Sequence, residues 1–314
     1  MNPDNSQISW SDGLKSLVKR EIYITFNNHL RHSIYRPFVS TFLYFDKHLN
    51  ERRYQFPSIA PTFKTEDENR FICVTGIGAQ QSFATLISKI IPDLNFMGIG
   101  TVPQWFSFYT YDENGNNRRE NITDWALEQF QTHYQDPKIT KWDIFHYTYA
   151  LLHHPHYHQR YAANLKRELP RIPFAPEFHP FATAGKRLTE IHINYEQQPE
   201  YRLKHIENKD LPIDWRVEKM RRSKDKTQIK YNDFLTLTGI PPETFEYKLG
   251  NRSALDWIID QYQVSTDKRS GITNDPNRLD DEEYIVRLIK QVITVSLETV
   301  KIVKGLPDLG LPND

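Results

Sequence analysis

The feature that most constrains the fold is a change in hydrophobic period near residue 120. Before it, runs such as RFICVTGIG (70–78) and QWFSFYTYD (104–112) are rich in aromatic and β-branched residues, which is typical of strands. From residue 121, in NITDWALEQFQTHYQ (121–135), the apolar residues recur at helical spacing. Strands gathered in one part and helices in the other predict an α+β fold.

We expect a β-rich part over residues 1–118. SIYRPFVSTFLYFD (33–46) is read as strand, and the ENGNN turn (113–117) closes the last strand of this part. SFATLISKII (82–91) is predicted to form a short helix that ends before Pro92.

The mainly helical part is predicted over residues 119–314, and the two parts are expected to form one composite module. PRIPFAPEFHP (170–180) is rich in proline and is expected to be a loop, as is the polar stretch 266–278. A strand, turn and strand are predicted over 215–232. Helices are predicted over 121–135, 140–154, 155–169, 184–196, 253–264 and 280–304. Thr123 or Asn121 is expected to cap the first of them, and Ser253 the helix over 253–264.

Composition favours a cytoplasmic protein without a membrane segment. Cys73 is the single cysteine, so no internal disulfide can form and a reducing compartment is expected. No apolar run reaches the length of about 18–20 residues that a membrane helix needs. The N-terminal stretch MNPDNSQISWSDG is polar and has no signal-peptide core.

Charge is balanced overall but not locally. The 40 Lys and Arg residues equal the 40 Asp and Glu residues, which argues against non-specific coating of nucleic acid. VEKMRRSKDKTQIKYN (217–232) nevertheless has six cations and two anions, a net charge of +4. The segment is either a nucleic-acid contact or a solvated hairpin tip.

Motifs for independent catalysis are missing. TGIGAQ (75–80) is glycine-rich but lacks the spacing of a nucleotide-binding turn, and no Walker A sequence is present. G-x-S-x-G, H-E-x-x-H and C-x-x-C are also absent. EYK (246–248) matches half of a nuclease metal motif, but so short a string is common by chance. No Asn/Asp-Pro-Pro-aromatic motif for amino-methylation is present.

The histidines of LLHHPHYHQRY (151–161) could suggest a metal site. His154 and His158 are four residues apart, but Pro155 between them is expected to start a new helix and break the shared face. No acidic residue lies within the cluster. We therefore predict a histidine-rich corner between two helices and no metal site.

Several long blocks resemble one known family, the C-terminal specificity region, or target recognition domain, of Type ISP restriction–modification enzymes. They extend from about residue 20 to residue 307. The blocks are DIFHYTYALLHHPHYHQRYAANLKRELPRIPF (143–174), LGNRSALDWIIDQYQVSTDKRSGITNDPN (249–277) and ITVSLETVKIVKGLP (293–307), with SIYRPFVSTFLYFD and RRENITDWALEQF.

The resemblance implies sequence-specific recognition of double-stranded DNA by a module that is not itself an enzyme. In that family one polypeptide joins a nuclease, an ATP-driven motor, an adenine N6-methyltransferase and this region. The expected partners are therefore double-stranded DNA and the methyltransferase and motor domains, in the same polypeptide or as a separate subunit. S-adenosylmethionine, ATP and Mg are expected only for the upstream domains, and no cofactor is expected in this chain.

Candidate DNA contacts come from the residue types, not from the resemblance. Phosphates attract cations, and base edges are read by amide and guanidinium groups on loops. The predicted phosphate contacts, on a two-stranded basic ribbon, are Lys219, Arg221, Arg222, Lys224 and Lys226. The predicted base-reading residues are Gln80, Gln81, Gln104, Arg118 and Arg119. Each could instead be an ordinary surface residue, and a protein-docking module with little DNA binding is the alternative function.

Overall fold

A computed structural model of the chain describes residues 11–24, 29–50, 53–268 and 271–311. Residues 1–10, on which the reading of the N-terminus depends, and residues 269–270 of the predicted polar loop lie outside the described residues. Within these ranges the protein has the predicted α+β architecture. No helix in the described part of the chain is both long and apolar enough to span a bilayer.

Short strands dominate the chain up to residue 120. The elements are α1 (Asp12–Lys19), β1 (Leu30–Arg36), β2 (Val39–Tyr44), α2 (Phe56–Ile59), α3 (Phe63–Glu68), β3 (Phe71–Val74), β4 (Thr85–Ser88), β5 (Ile91–Pro92), β6 (Gln104–Ser107), β7 (Tyr109–Thr110) and β8 (Arg119–Glu120). The strands form one sheet of order β2–β1–β5, in which β5 is parallel to β1, an antiparallel sheet of order β4–β3–β6, and the pair β7–β8.

The prediction of a helix over 82–91 is wrong, because that segment forms β4 and the start of β5. All four residues of β4 are buried, and β4 pairs with β3 from Phe71↔Ser88 to Val74↔Thr85. A strand covered on both faces has a continuous apolar run without alternation. Its periodicity therefore cannot be told from that of a short buried helix.

Helices and a second group of strands follow residue 120. Thr123, Thr140 and Ser253 accept hydrogen bonds from backbone N–H groups at the starts of α4, α5 and α8, so the caps at Thr123 and Ser253 are as predicted. The elements are α4 (Asp124–Tyr134), α5 (Lys141–Leu151), α6 (Pro155–Arg160), α7 (Phe178–Ile193), β9 (Lys204–Glu207), β10 (Arg221–Arg222), β11 (Gln228–Lys230), β12 (Leu235–Thr238), β13 (Lys248–Leu249), β14 (Arg252–Ser253), α8 (Ala254–Gln261), β15 (Ser265–Thr266), β16 (Thr273–Asn274) and α9 (Tyr284–Lys304), with 3₁₀ turns at Tyr195–Gln197 and Pro242–Phe245.

Two helix boundaries differ most from the prediction. α6 ends at Arg160 instead of continuing to 169, and the hydroxyl of Tyr157 donates to the Arg171 carbonyl, which folds the following segment back. α7 begins at Phe178, inside the predicted loop 170–180. A proline in the first turn of a helix lacks only an N–H that would have no intrahelical partner, so Pro180 is compatible with this start.

The core joins the two predicted parts. One buried cluster packs α8, α9 and the strands β11 and β12 against Phe38, Leu86 and Phe96 from the first part. A second cluster packs α5 and α7 against Ile72, Ile87 and Phe108. Side chains from both sides of residue 118 therefore contribute to each cluster, which holds the loops of the first part against the strands of the second.

Candidate nucleic-acid interface

The predicted two-stranded basic ribbon is part of a four-stranded antiparallel sheet of order β10–β11–β12–β9. Ile229 and Leu237 are opposite each other and fully buried, so their face of the sheet covers the core. The alternate residues point to solvent because side chains alternate along a strand. We call this solvent side the basic sheet face; its residues are Lys204, Ile206, Arg221, Gln228, Lys230, Thr236 and Thr238.

Like charges meet directly on the basic sheet face. Arg221 is the cross-strand neighbour of Lys230, an arrangement that destabilises a sheet unless an anion lies nearby. The Nζ of Lys230 is 2.7 Å from Asp233 Oδ1. Lys219 and Lys224 are exposed, and within the described residues they and Arg221 make no ion pair. These cations are available to phosphate groups.

Arg222 points to the opposite side of β10 from Arg221. Its Nε donates to Asp256 Oδ1 at 2.9 Å, and its Cζ lies 5.2 Å from the centre of the Phe245 ring. Lys226 Nζ lies 5.3 Å from the centre of the same ring. Of the five predicted phosphate contacts, Arg222 is thus the one that forms an ion pair with another described residue.

The glycine turn predicted to read bases lies against two other loops. The backbone N–H of Gly76 donates to the Thr101 carbonyl at 2.9 Å. The side chain of Gln81 fills the space between Gly98 and Gly250: a Cβ at Gly98 would lie 2.9 Å from its Nε2, and a Cβ at Gly250 would lie 2.6 Å from its Oε1. We call residues 76–82, 98–102 and 250–252 together the loop surface.

Apolar side chains surround the polar groups of the loop surface. Ile77, Ile99 and Val102 are 51%, 82% and 56% exposed. Gln80 is exposed on the same turn, and Gln104 is exposed at the start of β6, two residues after Val102. An exposed amide among exposed apolar groups is suited to a base edge, which presents both polar atoms and a methyl group.

Asn251 belongs to this surface and was not among the predicted residues. Its Oδ1 accepts hydrogen bonds from the backbone N–H and the hydroxyl of Ser82, at 3.4 and 3.3 Å. The Gly-Asn pair at 250–251 does indicate a turn. The sequence gives no sign, however, that this turn lies beside residue 82.

Arg118 and Arg119 are paired with carboxylates of their own neighbourhood. Arg118 Nη1 is 3.2 Å from Glu68 Oε2, and Arg119 donates to Asp112 Oδ1 at 3.0 and 3.1 Å. Hydrogen bonds from Asn117 and then Arg119 lower the pKa of Asp112. None of these contacts is with the loop surface, so the structure does not bring these two arginines together with Gln80 and Gln81.

One carboxylate joins β10, which carries Arg221, to β14, which adjoins the loop surface. Asp256 receives Arg222 on Oδ1 and the Ser253 hydroxyl, at 2.8 Å, on Oδ2. Ser253 lies two residues after Asn251, on β14. β10 and β14 are therefore connected through a single side chain.

The histidine-rich corner is structural. His153 Nδ1 bonds to the Tyr149 carbonyl at 2.8 Å, His154 Nε2 to the Pro307 carbonyl at 3.1 Å, and His158 Nε2 to the Leu152 carbonyl at 2.5 Å. Burial lowers the pKa of His153 to about 4, so its ring is neutral at pH 7. No group of three or more His, Cys, Asp or Glu side chains arranged to hold a metal is found in the described part of the chain.

The sequence matches the family described as the Type ISP C-terminal specificity domain over residues 1–289. The chain belongs to this family. The resemblance inferred from blocks 143–174, 249–277 and 293–307 is thereby confirmed. The chain is thus of the restriction–modification class, as the specificity domain of a Type ISP enzyme.

Solved structures agree with this assignment. The chain is similar to a nuclease-deletion mutant of the Type ISP enzyme LlaGI in complex with a DNA substrate mimic, with 34% identity and a TM-score of 0.85. The match covers 100% of this chain and 28% of the LlaGI chain. The chain is also similar to the ATP-dependent Type ISP enzyme LlaBIII bound to DNA, with 30% identity and a TM-score of 0.86; the match covers 98% of this chain and 20% of LlaBIII. A third similar structure is DrdV in a DNA complex, with 36% identity and a TM-score of 0.86; the match covers 99% of this chain and 31% of DrdV. The chain spans about a fifth to a third of these proteins. No curated protein matches it.

Proposed function

We propose that this chain recognises a specific sequence in double-stranded DNA. The observation that carries the proposal is its whole-length similarity, at 30–36% identity, to three proteins whose structures are described as complexes with DNA or a DNA mimic. The basic sheet face and the loop surface supply the two kinds of contact that such recognition needs.

The basic sheet face is assigned to the phosphate backbone. Lys219, Arg221 and Lys224 are exposed and unpaired among the described residues, and cations on long side chains adapt to phosphates without exact geometry. Lys204 and Lys230, which lie on the same face, are added to the predicted contacts. Arg222 is assigned to holding the sheet against α8 and Phe245.

The loop surface is assigned to the bases. Specific reading requires donors and acceptors at fixed positions, and here three loops hold one another by backbone and side-chain contacts. Gln80 and Gln104 extend this surface. Arg118 and Arg119 lie beyond it and are proposed to contact DNA only after exchanging a carboxylate for a phosphate or a base.

In the complete enzyme, we propose, this module fixes the target site in register so that an adenine N6-methyltransferase flips the correct base. The nuclease and motor would act from the same site. S-adenosylmethionine, ATP and Mg are assigned to those other domains. The proposed location is the cytoplasm.

A docking module for the other domains is the second candidate, and α1 favours it. α1 is the one described helix that buries no residue, although Leu14, Leu17 and Val18 share a face. Ile22, Tyr23 and Ile24 follow it and are exposed. A protein partner could cover this apolar segment while DNA is held elsewhere.

The test is fluorescence anisotropy of the purified chain with a randomised duplex pool at low and physiological salt, followed by sequencing of the bound DNA. Recognition predicts an enriched motif and an affinity that falls steeply as salt rises. No binding at low salt would reject intrinsic DNA recognition and favour docking.

A further inference from the structure

Asn251 is held in one orientation. It is exposed at the tip of the hairpin formed by β13 and β14, and the atom facing the Ser82 backbone N–H must be its amide oxygen, since an N–H can only donate. The Ser82 hydroxyl donates to the same oxygen. The Nδ2 group makes no hydrogen bond with any described residue and is left as a free pair of donors.

The amide oxygen of Asn251 already accepts two hydrogen bonds, at 3.4 and 3.3 Å. A carbonyl oxygen offers two lone pairs, and the Ser82 N–H and hydroxyl take both. The usual two-bond contact of asparagine with adenine needs the oxygen as well as the nitrogen. Asn251 is therefore a donor without an acceptor, unlike an asparagine that is free to turn.

Gln81 lies behind the hairpin tip that carries Asn251 and contacts it. Its amide lies between Gly98 and Gly250, so it touches both the 98–102 loop and the turn that carries Asn251. Gly98 also lies against Trp257, whose Nε1–H donates to the Leu249 carbonyl in the same hairpin. Gln81 is thus placed to set the position of the hairpin tip relative to Ser82.

We infer that Asn251 is a base-reading residue that acts only as a donor in the major groove, and that Gln81 is its positioning residue and not a reader. This rests on the proposed function and adds a residue and a base preference to it. The acceptors in the major groove are guanine O6 and N7, adenine N7 and thymine O4, whereas cytosine presents its N4 donor. Asn251 selects one of the first three bases and rejects cytosine.

The test compares Asn251→Ala with the wild-type chain in the randomised-duplex selection. The variant is expected to lose about tenfold in preference at one base pair, which corresponds to about 1.4 kcal/mol. Its affinity for the unselected pool and its salt dependence are expected to stay the same. Asn208→Ala is the matched control, because Asn208 is an exposed asparagine whose Oδ1 also accepts a backbone N–H, from Asp210.

Asn251→Asp gives a sharper outcome. Ser82 would still occupy one carboxylate oxygen, and the other would be an acceptor, so the preference at the same base pair is expected to change to a base with a donor in the major groove, cytosine through N4 or adenine through N6. A wild-type motif that Asn251→Ala and Asn251→Asp both keep at every position would overturn the inference and leave the proposed function standing. A wild-type chain that binds no DNA would reject the proposed function, and the inference with it.

The positioning role of Gln81 has its own readout. Gln81→Ala is expected to reduce preference at the Asn251 base pair and nowhere else. The double variant with Asn251→Ala should lose little more than either single variant, because both changes remove one contact. Additive losses at different base pairs would make Gln81 an independent reader and overturn its assignment.

Discussion

The basic sheet face and the loop surface differ in how tightly their polar groups are held. At the sheet, Arg221 of β10 and the two lysines that flank this strand, Lys219 and Lys224, are exposed and free of ion pairs among the described residues. On the loops, Ser82 fixes Asn251, and Gln81 lies between two glycines. One surface has charge without fixed geometry, whereas the other has fixed geometry and a single charged residue, Arg252, which is paired with Asp260. Affinity and specificity should therefore be separable by mutation.

The largest effect is expected from removing charge. Lys219, Arg221, Lys224 and Lys230 changed together to Ala should lower the slope of log affinity against log salt by about 3–4 and reduce affinity at physiological salt at least about 100-fold. The selected motif should not change. Anisotropy over a salt series measures the slope, and selection reports the motif.

The control replaces four other exposed lysines, Lys64, Lys138, Lys186 and Lys301, by Ala. It removes the same net charge without touching the basic sheet face. An equal loss of slope in both variants would mean that only net charge matters and would abolish the distinction between the two surfaces.

Acid is expected to weaken the support of the loop surface. His153 is buried with a pKa of about 4, below its unfolded value of about 6.5, so the unfolded chain binds the proton first. Stability is therefore complete above pH 6.5 and falls as the pH drops toward 4. Between pH 7 and pH 5, protonation of this histidine alone should lower the free energy of unfolding by about 2 kcal/mol.

Urea unfolding at pH 7 and at pH 5 measures this loss, and His153→Gln should show a smaller one. His158 of the same corner packs its ring against Phe83, next to the glycine turn. The motif should accordingly become less sharp at pH 5 before binding to phosphates weakens. A motif that is unchanged while stability falls would separate the corner from the loops.

Gly250→Ala should reduce discrimination about tenfold and leave affinity for the unselected pool unchanged. The new Cβ would meet Gln81 Oε1 at 2.6 Å, at a φ of +69° that favours glycine. Gly239→Ala, on the sheet side at a φ of +88°, has nothing within 4 Å and provides the same backbone strain without the collision. Randomised-duplex selection on both variants tests whether contact with Gln81, and not strain, carries the effect.

The smallest effect concerns the arginine that the sequence places with the phosphate contacts. Arg222→Ala should leave the salt slope unchanged and cost up to about 1 kcal/mol of stability, because it removes a partly exposed ion pair with Asp256 and a contact with Phe245. Denaturant unfolding and the salt series measure the two quantities. A slope reduced by about 1 would return Arg222 to the phosphate contacts.

The sequence predicts what depends on neighbouring residues. The caps at Thr123 and Ser253 are confirmed because an N-cap is decided within four residues. Segment 82–91 is predicted wrongly because its strand character comes from pairing with β3, which its own periodicity does not reveal. Sequence reading thus predicted the fold class, most helices and the buried strand β3, but not the buried strand β4.

The same limit applies to the site. Arg221 and Arg222 are adjacent and chemically identical, and only the register of β10 with β11 decides which one faces solvent. Asn251 could not be selected from the sequence, because its partner Ser82 lies 169 positions away. Spacing along the chain therefore predicted the basic segment and the glycine turn, but not the third loop that completes the surface.

Asp256 connects the two elements beside which the two surfaces lie. With one oxygen on Arg222 of β10 and the other on Ser253 at the end of the hairpin, it links the strand that carries Arg221 to the turn that carries Asn251. In the proposed complex, this link is one of the contacts that set the spacing between a backbone contact and a base contact along the double helix. Replacing the tip of the hairpin by another sequence would then change the base that is preferred without changing its position in the recognition sequence.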